Sequence, residues 1–157
     1  MDAITFEIPA SAVPQPRARA TRGGRMYSPN RNGISEFKAA VGDAATAHVR
    51  GAGWFDRDWW FEVEIECVLP RPRSHLTSKG EPRRGAPAFP GHGAGDWDNL
   101  AKGVCDAITA TDAVWLDDAR VISGSCRKRY AASGEAGRTI ITLRRVAHAE
   151  DPFEAHR

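Results

Sequence analysis

Two short acidic segments carry the residues best suited to chemistry. The first contains Asp96 and Asp98, separated by one residue, and Lys102 follows four residues after Asp98. The second contains the adjacent pair Asp117 and Asp118. Carboxylates are preferred ligands of Mg²⁺ and Mn²⁺, and such an ion can neutralise a phosphate and activate water while it keeps open coordination positions. We therefore predict a divalent-metal site that hydrolyses phosphodiesters.

Each of these residues has an expected role. Asp96 and Asp98 are predicted to converge on one ion at the start of a helix, and Asp118 is predicted to complete the set from the start of a strand. Lys102 lies on the helical face of Asp98, because residues four apart are neighbours on a helix. Its ammonium can position the attacking water or stabilise developing negative charge. The alternative is a capped helix with an Asp98–Lys102 surface pair, which contributes only a few tenths of a kcal/mol.

Other aspartate-based sites do not fit the sequence around Asp96. A calcium EF-hand loop that started there would need glycine sixth and glutamate twelfth, where the chain has Ala101 and Ala107. A Walker-type phosphate loop is absent from the sequence. A dehalogenase-type aspartate pair would follow an apolar strand, whereas the glycine-rich residues 91–95 precede Asp96. The second acidic pair then favours a metal site over a simple helix cap.

Positive charge is concentrated in three segments, although the net charge of the chain is only +2. Two of these segments lie in long stretches with many prolines and glycines, and the third is residues 127–129. Basic segments beside an acidic centre suit a polyanion whose phosphates reach carboxylates through a metal. The alternative is solvated loops that keep the protein soluble. The candidate DNA-binding residues are Arg17, Arg19, Arg22, Arg25, Arg71, Arg73 and Lys128.

The hydrophobic pattern predicts four strands and two helices. Alternating apolar and polar residues predict strands at 4–8, 59–69, 120–126 and 139–146. Helical spacing predicts one helix from an N-cap at Ser35 to about Val49 and another from Asp98 or Asn99 to about Ala110. The last two strands are expected to form a hairpin through residues 133–137. Residues 10–33 and 70–95 are expected to be long irregular loops.

These elements predict an α/β (α+β) fold in a small single domain. The expected architecture is a mixed four-stranded sheet with two main helices, in the order β-α-β-α-β-β. Residues 1–147 are predicted to form the domain, and residues 148–157 a flexible tail. The three cysteines, Cys67, Cys105 and Cys126, lack metal-ligand spacing and are expected to be free thiols. The sequence shows neither a signal peptide nor an apolar run long enough for a bilayer, so a cytoplasmic location without membrane contact is expected.

With both acidic segments in view, the sequence resembles the RusA-type Holliday-junction resolvases of bacteria and prophages. The resemblance rests on the run DWDNL at residues 96–100 with Lys102, on the helix that follows, and on the run WLDDARV at residues 115–121. The proline- and arginine-containing loop at residues 14–28 is also similar. The resemblance extends from Ile4 to about Val146.

This resemblance implies a small α/β homodimer that cuts four-way DNA junctions with Mg²⁺ or Mn²⁺. The metal-binding aspartates of the family fall on Asp96, Asp98 and Asp118, and its essential lysine falls on Lys102. Asp117 is a secondary candidate. Two sites related by a two-fold axis match a junction that is resolved by two symmetric nicks, and recognition is expected to rest on shape and phosphate contacts.

Two other functions remain open from the sequence. One is a non-catalytic protein that binds branched DNA, which would bind without metal and give no cleavage product. The other is a broader metal-dependent nuclease, which would also cut flaps or RNA. The loop at residues 71–95 and the C-terminal tail are longer than in the family, which leaves the sequence preference of cleavage open.

Overall fold

The computed structural model describes residues 2–16, 19–27, 33–54, 59–91 and 93–147, and the statements below refer to these residues. They form six strands, two α-helices and two short 3₁₀ helices, at Arg73–His75 and Asp118–Arg120. The strands and α-helices are β1 (Ala3–Ile8), β2 (Arg19–Ala20), β3 (Met26–Tyr27), α1 (Ile34–Gly51), β4 (Trp60–Leu69), α2 (Trp97–Thr109), β5 (Val121–Tyr130) and β6 (Arg138–Val146).

The main sheet contains four strands in the order β1-β6-β4-β5. β6 is antiparallel to both β1 and β4, whereas β5 is parallel to β4. A parallel pair needs a long crossover connection, and α2 lies within that crossover between β4 and β5. This arrangement confirms the predicted mixed four-stranded sheet with two helices in a small single domain.

The predicted hairpin between the last two strands is wrong, because β4 lies between β5 and β6. β4 is apolar along one face and pairs with both neighbours over most of its length, for example Ile65 with Cys126 on one side and with Ile141 on the other. β5 and β6 therefore each bind an edge of β4 and do not pair with each other. Residues 131–137 connect the two strands across it.

The core lies between the helices and one face of the sheet. On β4 the odd-numbered residues from Phe61 to Leu69 are buried, as their alternation predicted. Gly42 of α1 packs against the end of α2, where an added Cβ atom would lie 3.4 Å from the Ala107 carbonyl oxygen and 2.7 Å from a side-chain carbon of Thr111, just after the helix. A glycine in the middle of α1 lowers helix propensity, but the close contact between the helices requires it.

Two helix starts differ from the prediction. Gly33, not Ser35, is the N-cap of α1, and its φ of 85° is in the left-handed region that favours glycine. The helix therefore begins two residues earlier than predicted, and the first of these residues, Ile34, is buried. α2 begins at Trp97 with Asp96 as N-cap, one residue before the predicted start.

The two long loops contain more structure than expected. Within residues 10–33, β2 and β3 form a small antiparallel pair with Arg19 opposite Tyr27. Within residues 70–95, a 3₁₀ turn is followed by a bridge between Leu76 and Pro82. Arg83 Nε also donates to the Leu76 carbonyl at 2.6 Å. Residues 148–157, the predicted tail, lie outside the described residues. In the part of the chain that the structure describes, neither helix combines the length and apolarity needed to cross a bilayer.

Candidate active site

The first acidic segment forms the start of α2. Asp96 has extended backbone and is the N-cap residue, and its carbonyl accepts a hydrogen bond from Leu100 N at 3.1 Å. Asp98 lies in the first helical turn. Both carboxylates are exposed. Acidic side chains are compatible with this end of a helix because its backbone N–H groups carry partial positive charge.

Three contacts hold this helix start in place. The Trp97 indole Nε1 donates to the Cys126 carbonyl at 2.6 Å, and Lys128 Nζ donates to the Gly95 carbonyl at 2.9 Å. These two bonds attach the segment to β5. On another side, Gln15 N donates to the Asn99 carbonyl at 2.9 Å. The segment around the aspartates is therefore fixed by hydrogen bonds to residues from distant parts of the chain.

The second acidic segment enters the short 3₁₀ helix before β5. Asp117 is its N-cap, and a carboxylate oxygen of Asp117 accepts from Ala119 N at 2.8 Å. Asp118 is the first residue of the turn, and its side chain is exposed. The buried Trp115 anchors the segment, since its ring centre lies 5.2 Å from that of Phe61 and its Nε1 donates to Thr109 Oγ1, at the end of α2, at 2.7 Å. Asp117 thus has a local structural contact that a metal ligand would have to share.

Lys102 forms a contact that was not predicted from the sequence. Its Nζ lies 3.0 Å from Asp106 Oδ1, one helical turn further along α2. Asp106 Oδ2 lies 3.7 Å from Lys38 Nζ on α1. The spacing of four residues between Lys102 and Asp106 was visible in the sequence, but the approach of Lys38 depends on helix packing and was not.

The 3₁₀ turn that begins with Asp118 contacts α2, and the charge of Asp118 acts on side chains of that helix. The pKa of Lys102 is raised, chiefly by its hydrogen bond and charge interaction with Asp106, and the negative charge of Asp118 also contributes. Burial raises the pKa of the Cys105 thiol to about 11, with a further contribution from Asp118. Lys102 and Cys105 are three residues apart on the helix, so the field of Asp118 reaches α2 near Lys102. The second acidic segment thus lies beside α2, and the first forms the start of the same helix.

The donor set fits a hard cation, although it is not a closed cage. Within residues 2–147 as far as they are described, no group of three or more His, Cys, Asp or Glu side chains is close enough to hold a metal ion. Mg²⁺ ordinarily keeps several waters and uses one or two carboxylates together with substrate phosphates, so it does not need a preformed protein cage. Exposed carboxylates of Asp96, Asp98 and Asp118 are suitable oxygen donors for it. Their joint ligation of one ion remains a prediction.

The predicted DNA-binding residues fall into different environments. Arg17 lies outside the described residues, and for Arg19 only the backbone, in β2, is described. Arg22, Arg25 and Arg73 have exposed side chains.

The other two candidates contact the protein itself. Arg71 Nη1 donates to the Pro87 carbonyl at 2.8 Å, and its guanidinium lies 4.3 Å from the centre of the Tyr130 ring. Lys128, as above, binds the Gly95 carbonyl. Both therefore support the structure around the site, and DNA contact by any member of the set remains a prediction.

Comparison with known families decides the wider assignment. A family model described as Endodeoxyribonuclease RusA matches residues 9–144 of the 157-residue chain. The chain belongs to the RusA endodeoxyribonuclease family. The match spans β4, α2 and β5 and so includes both acidic segments of this RusA family member. A search of curated proteins gave no match.

Family membership supports a general activity, that of an endonuclease that resolves Holliday junctions, and with it the binding of branched DNA. The match with the family model thus confirms the family that was predicted from the two acidic segments.

Proposed function

We propose that this RusA family member resolves four-way DNA junctions by paired, symmetric, divalent-metal-dependent nicks. The observation that supports the proposal is that one exposed acidic segment forms the start of α2, which also carries Lys102, while the other enters a 3₁₀ turn that packs against α2. Asp96, Asp98 and Asp118 would hold Mg²⁺ or Mn²⁺. When bound, such an ion supplies charge neutralisation at phosphorus and a water of lowered pKa.

The residues of the chain account for the remaining requirements. The exposed helix start gives a phosphodiester access to the aspartates, since Asp96 and Asp98 are on the surface. The Lys102 ammonium is more than half exposed and can donate to a phosphate oxygen, where it would stabilise charge that develops in the transition state. The bonds from Trp97 and Lys128 to backbone carbonyls keep the helix start fixed against β5. A fixed start limits the reorganisation that the carboxylates would otherwise need.

The proposed active form is a homodimer. Resolution needs one nick on each of two strands of like polarity, and two copies related by a two-fold axis place two equivalent sites on such a substrate. Contacts with the phosphate backbone would come from exposed basic side chains such as Arg22, Arg25 and Arg73. These contacts would make binding strongly dependent on salt.

A cleavage assay with a matched variant tests the proposal. A labelled four-way junction is incubated with the protein and Mg²⁺, in parallel with the Asp98→Asn variant. We expect paired nicks from the parent and a rate at least about a hundredfold lower from the variant, since a metal ligand is lost. Junction binding in Ca²⁺ should be retained. Equal nicking by the variant would contradict the assigned chemistry.

Further substrates separate the alternatives. Binding of the junction without product under Mg²⁺ and Mn²⁺ would indicate a non-catalytic branched-DNA-binding protein. Comparable cleavage of duplex, single-stranded DNA or RNA would indicate a broader nuclease. Sedimentation of the protein with its junction tests the dimer, for which we expect two copies per junction.

A further inference from the structure

One carboxylate, that of Asp106, contacts lysines from both helices. Lys102 on α2 lies 3.0 Å from one of its oxygens, and Lys38 on α1 lies 3.7 Å from the other. The Asp106 side chain is 25% exposed, whereas that of Lys102 is 59% exposed. The carboxylate is thus held between the helices while the ammonium that it binds extends into solvent.

Helix stability does not explain this contact. The order within the pair, with lysine one turn before the acid, is the less favourable one for a helical ion pair. Pairs with such an exposed partner also contribute little to folding, because water screens them and the side chains lose freedom. The contact instead determines where the Lys102 ammonium lies, because the four-carbon side chain that carries it is flexible.

We infer that Asp106 is a positioning residue for Lys102, an inference that rests on the proposed function. Asp106 directs the ammonium towards the C-terminal side of Lys102, away from the turn that contains Asp98. The contact at 3.0 Å therefore limits where the ammonium can lie, although its four-carbon stem would otherwise let it move freely. Lys38 contributes indirectly, because it contacts the second oxygen of Asp106 and restrains its carboxylate.

Single-turnover cleavage of a four-way junction with saturating protein and Mg²⁺ tests the inference. Asp106→Asn should lower the cleavage rate by about ten- to hundredfold, the scale expected when a reacting group is misplaced. Binding of the junction in Ca²⁺ should be unchanged. Asp106→Glu should recover most of the lost rate, because it keeps the charge. Asp43→Asn, which removes an exposed carboxylate elsewhere on α1, should cut as fast as the parent.

A double-mutant cycle shows whether Asp106 acts through Lys102. Lys102→Met should itself slow cleavage, and addition of Asp106→Asn to that variant should cause no further loss. Lys38→Met should give a smaller loss that also disappears in the Lys102→Met background, and it serves as the test if Asp106→Asn melts at a lower temperature than the parent.

Two results would overturn the inference. One is full-rate cleavage by Asp106→Asn, and the other is losses that add in the double variant. Both require a parent that cuts; a parent that binds junctions without cutting would contradict the proposed function instead.

Discussion

Two groups of charged residues in this molecule illustrate different uses of charge. The first, which we term the sheet-face network, consists of Glu66, Arg129, Glu135, Arg138 and Glu7. The distances from guanidinium nitrogen to carboxylate oxygen are 2.7 Å for Arg129 and Glu66 and 2.6 Å for Arg129 and Glu135. The corresponding distances from Arg138 are 2.8 Å to Glu135 and 3.3 Å to Glu7. Each acid of this network has an arginine partner within the chain. It links the four strands of the main sheet to the connection between β5 and β6.

The second group, the acidic site, consists of Asp96, Asp98 and Asp118 with Lys102. Its carboxylates are exposed at the start of α2 and in the turn before β5. The close partner of its lysine is Asp106, outside the group. Acidic residues near each other therefore do not by themselves mark a metal site: the acids of the sheet-face network pair with arginines across the strands, whereas exposed carboxylates at a helix start and in a turn are suited to bind a hard cation.

The largest effect expected from this comparison is on catalysis, in the adjacent pair Asp117 and Asp118. Asp118→Asn should lower junction cleavage at least about a hundredfold, because it removes a proposed metal ligand. Asp117→Asn should lose far less, because an amide oxygen can still accept the bond from Ala119 N. Single-turnover rates in Mg²⁺, with thermal unfolding as a control for folding, measure both. Equal losses in the two variants would remove the distinction between ligand and cap.

Local patterns in the sequence predicted most elements but not their pairing. The alternation in β4 and the helical spacing in α2 are local signals, because each depends only on which side chains of one segment are apolar and become buried. The position of β6 between β1 and β4 is not local: it depends on which strand edges are available after the chain collapses. The turn residues at 133–137 between two consecutive strands suggested a hairpin, although β4 occupies the position between those strands.

For the acidic site, likewise, the residues could be predicted from the sequence, but the contacts that position them could not. The residue types and spacing of Asp96, Asp98 and Lys102 were sufficient to propose a chemistry. The contact between Trp97 and the Cys126 carbonyl, which fixes the helix start, joins residues 29 positions apart and has no signal in the sequence. The approach of Lys38 to Asp106 likewise depends on the packing of α1 on α2, which the sequence alone does not determine.

An intermediate effect is expected on DNA binding. Arg71 contacts other parts of the protein, as the sheet-face network does, whereas Arg73 is exposed, as the acidic site is. Arg73 is exposed, and its replacement by alanine should reduce the slope of log K against log salt by about 0.9 if it contacts one phosphate of a duplex arm. Arg71 contacts Tyr130 and the Pro87 carbonyl, so Arg71→Ala should also loosen the loop.

Fluorescence anisotropy of a labelled junction across a salt series gives the slopes for Arg71→Ala and Arg73→Ala, and limited proteolysis reports the loop at residues 70–95. An unchanged slope for Arg73→Ala would show that this side chain does not contact phosphate. Equal protease sensitivity of the parent and Arg71→Ala would show that the Arg71 contacts do not hold the loop.

The smallest effect is expected on stability, in the sheet-face network. The hydrogen bond with Arg129, together with one from Ala132 N, lowers the pKa of Glu135 to about 2. An unfolded glutamate titrates near 4.3. Because the folded pKa is the lower one, the stabilising contribution of Glu135 is fully present above the unfolded pKa and is lost as the pH falls from there towards about 2. The parent should therefore melt at a higher temperature than Glu135→Gln at neutral pH, and the difference should shrink with acid.

Thermal unfolding followed by circular dichroism at low salt, from neutral pH down to the acid limit of folding, measures this difference. Junction cleavage by Glu135→Gln at neutral pH should match the parent, since Glu135 belongs to the compensated network and lies outside the acidic site. A melting difference that stays constant into the acid range would mean that the Glu135 charge does not stabilise the sheet face. A loss of cleavage without a loss of stability would mean that the two charged groups are coupled, and the separation between structural and catalytic charge would then fail.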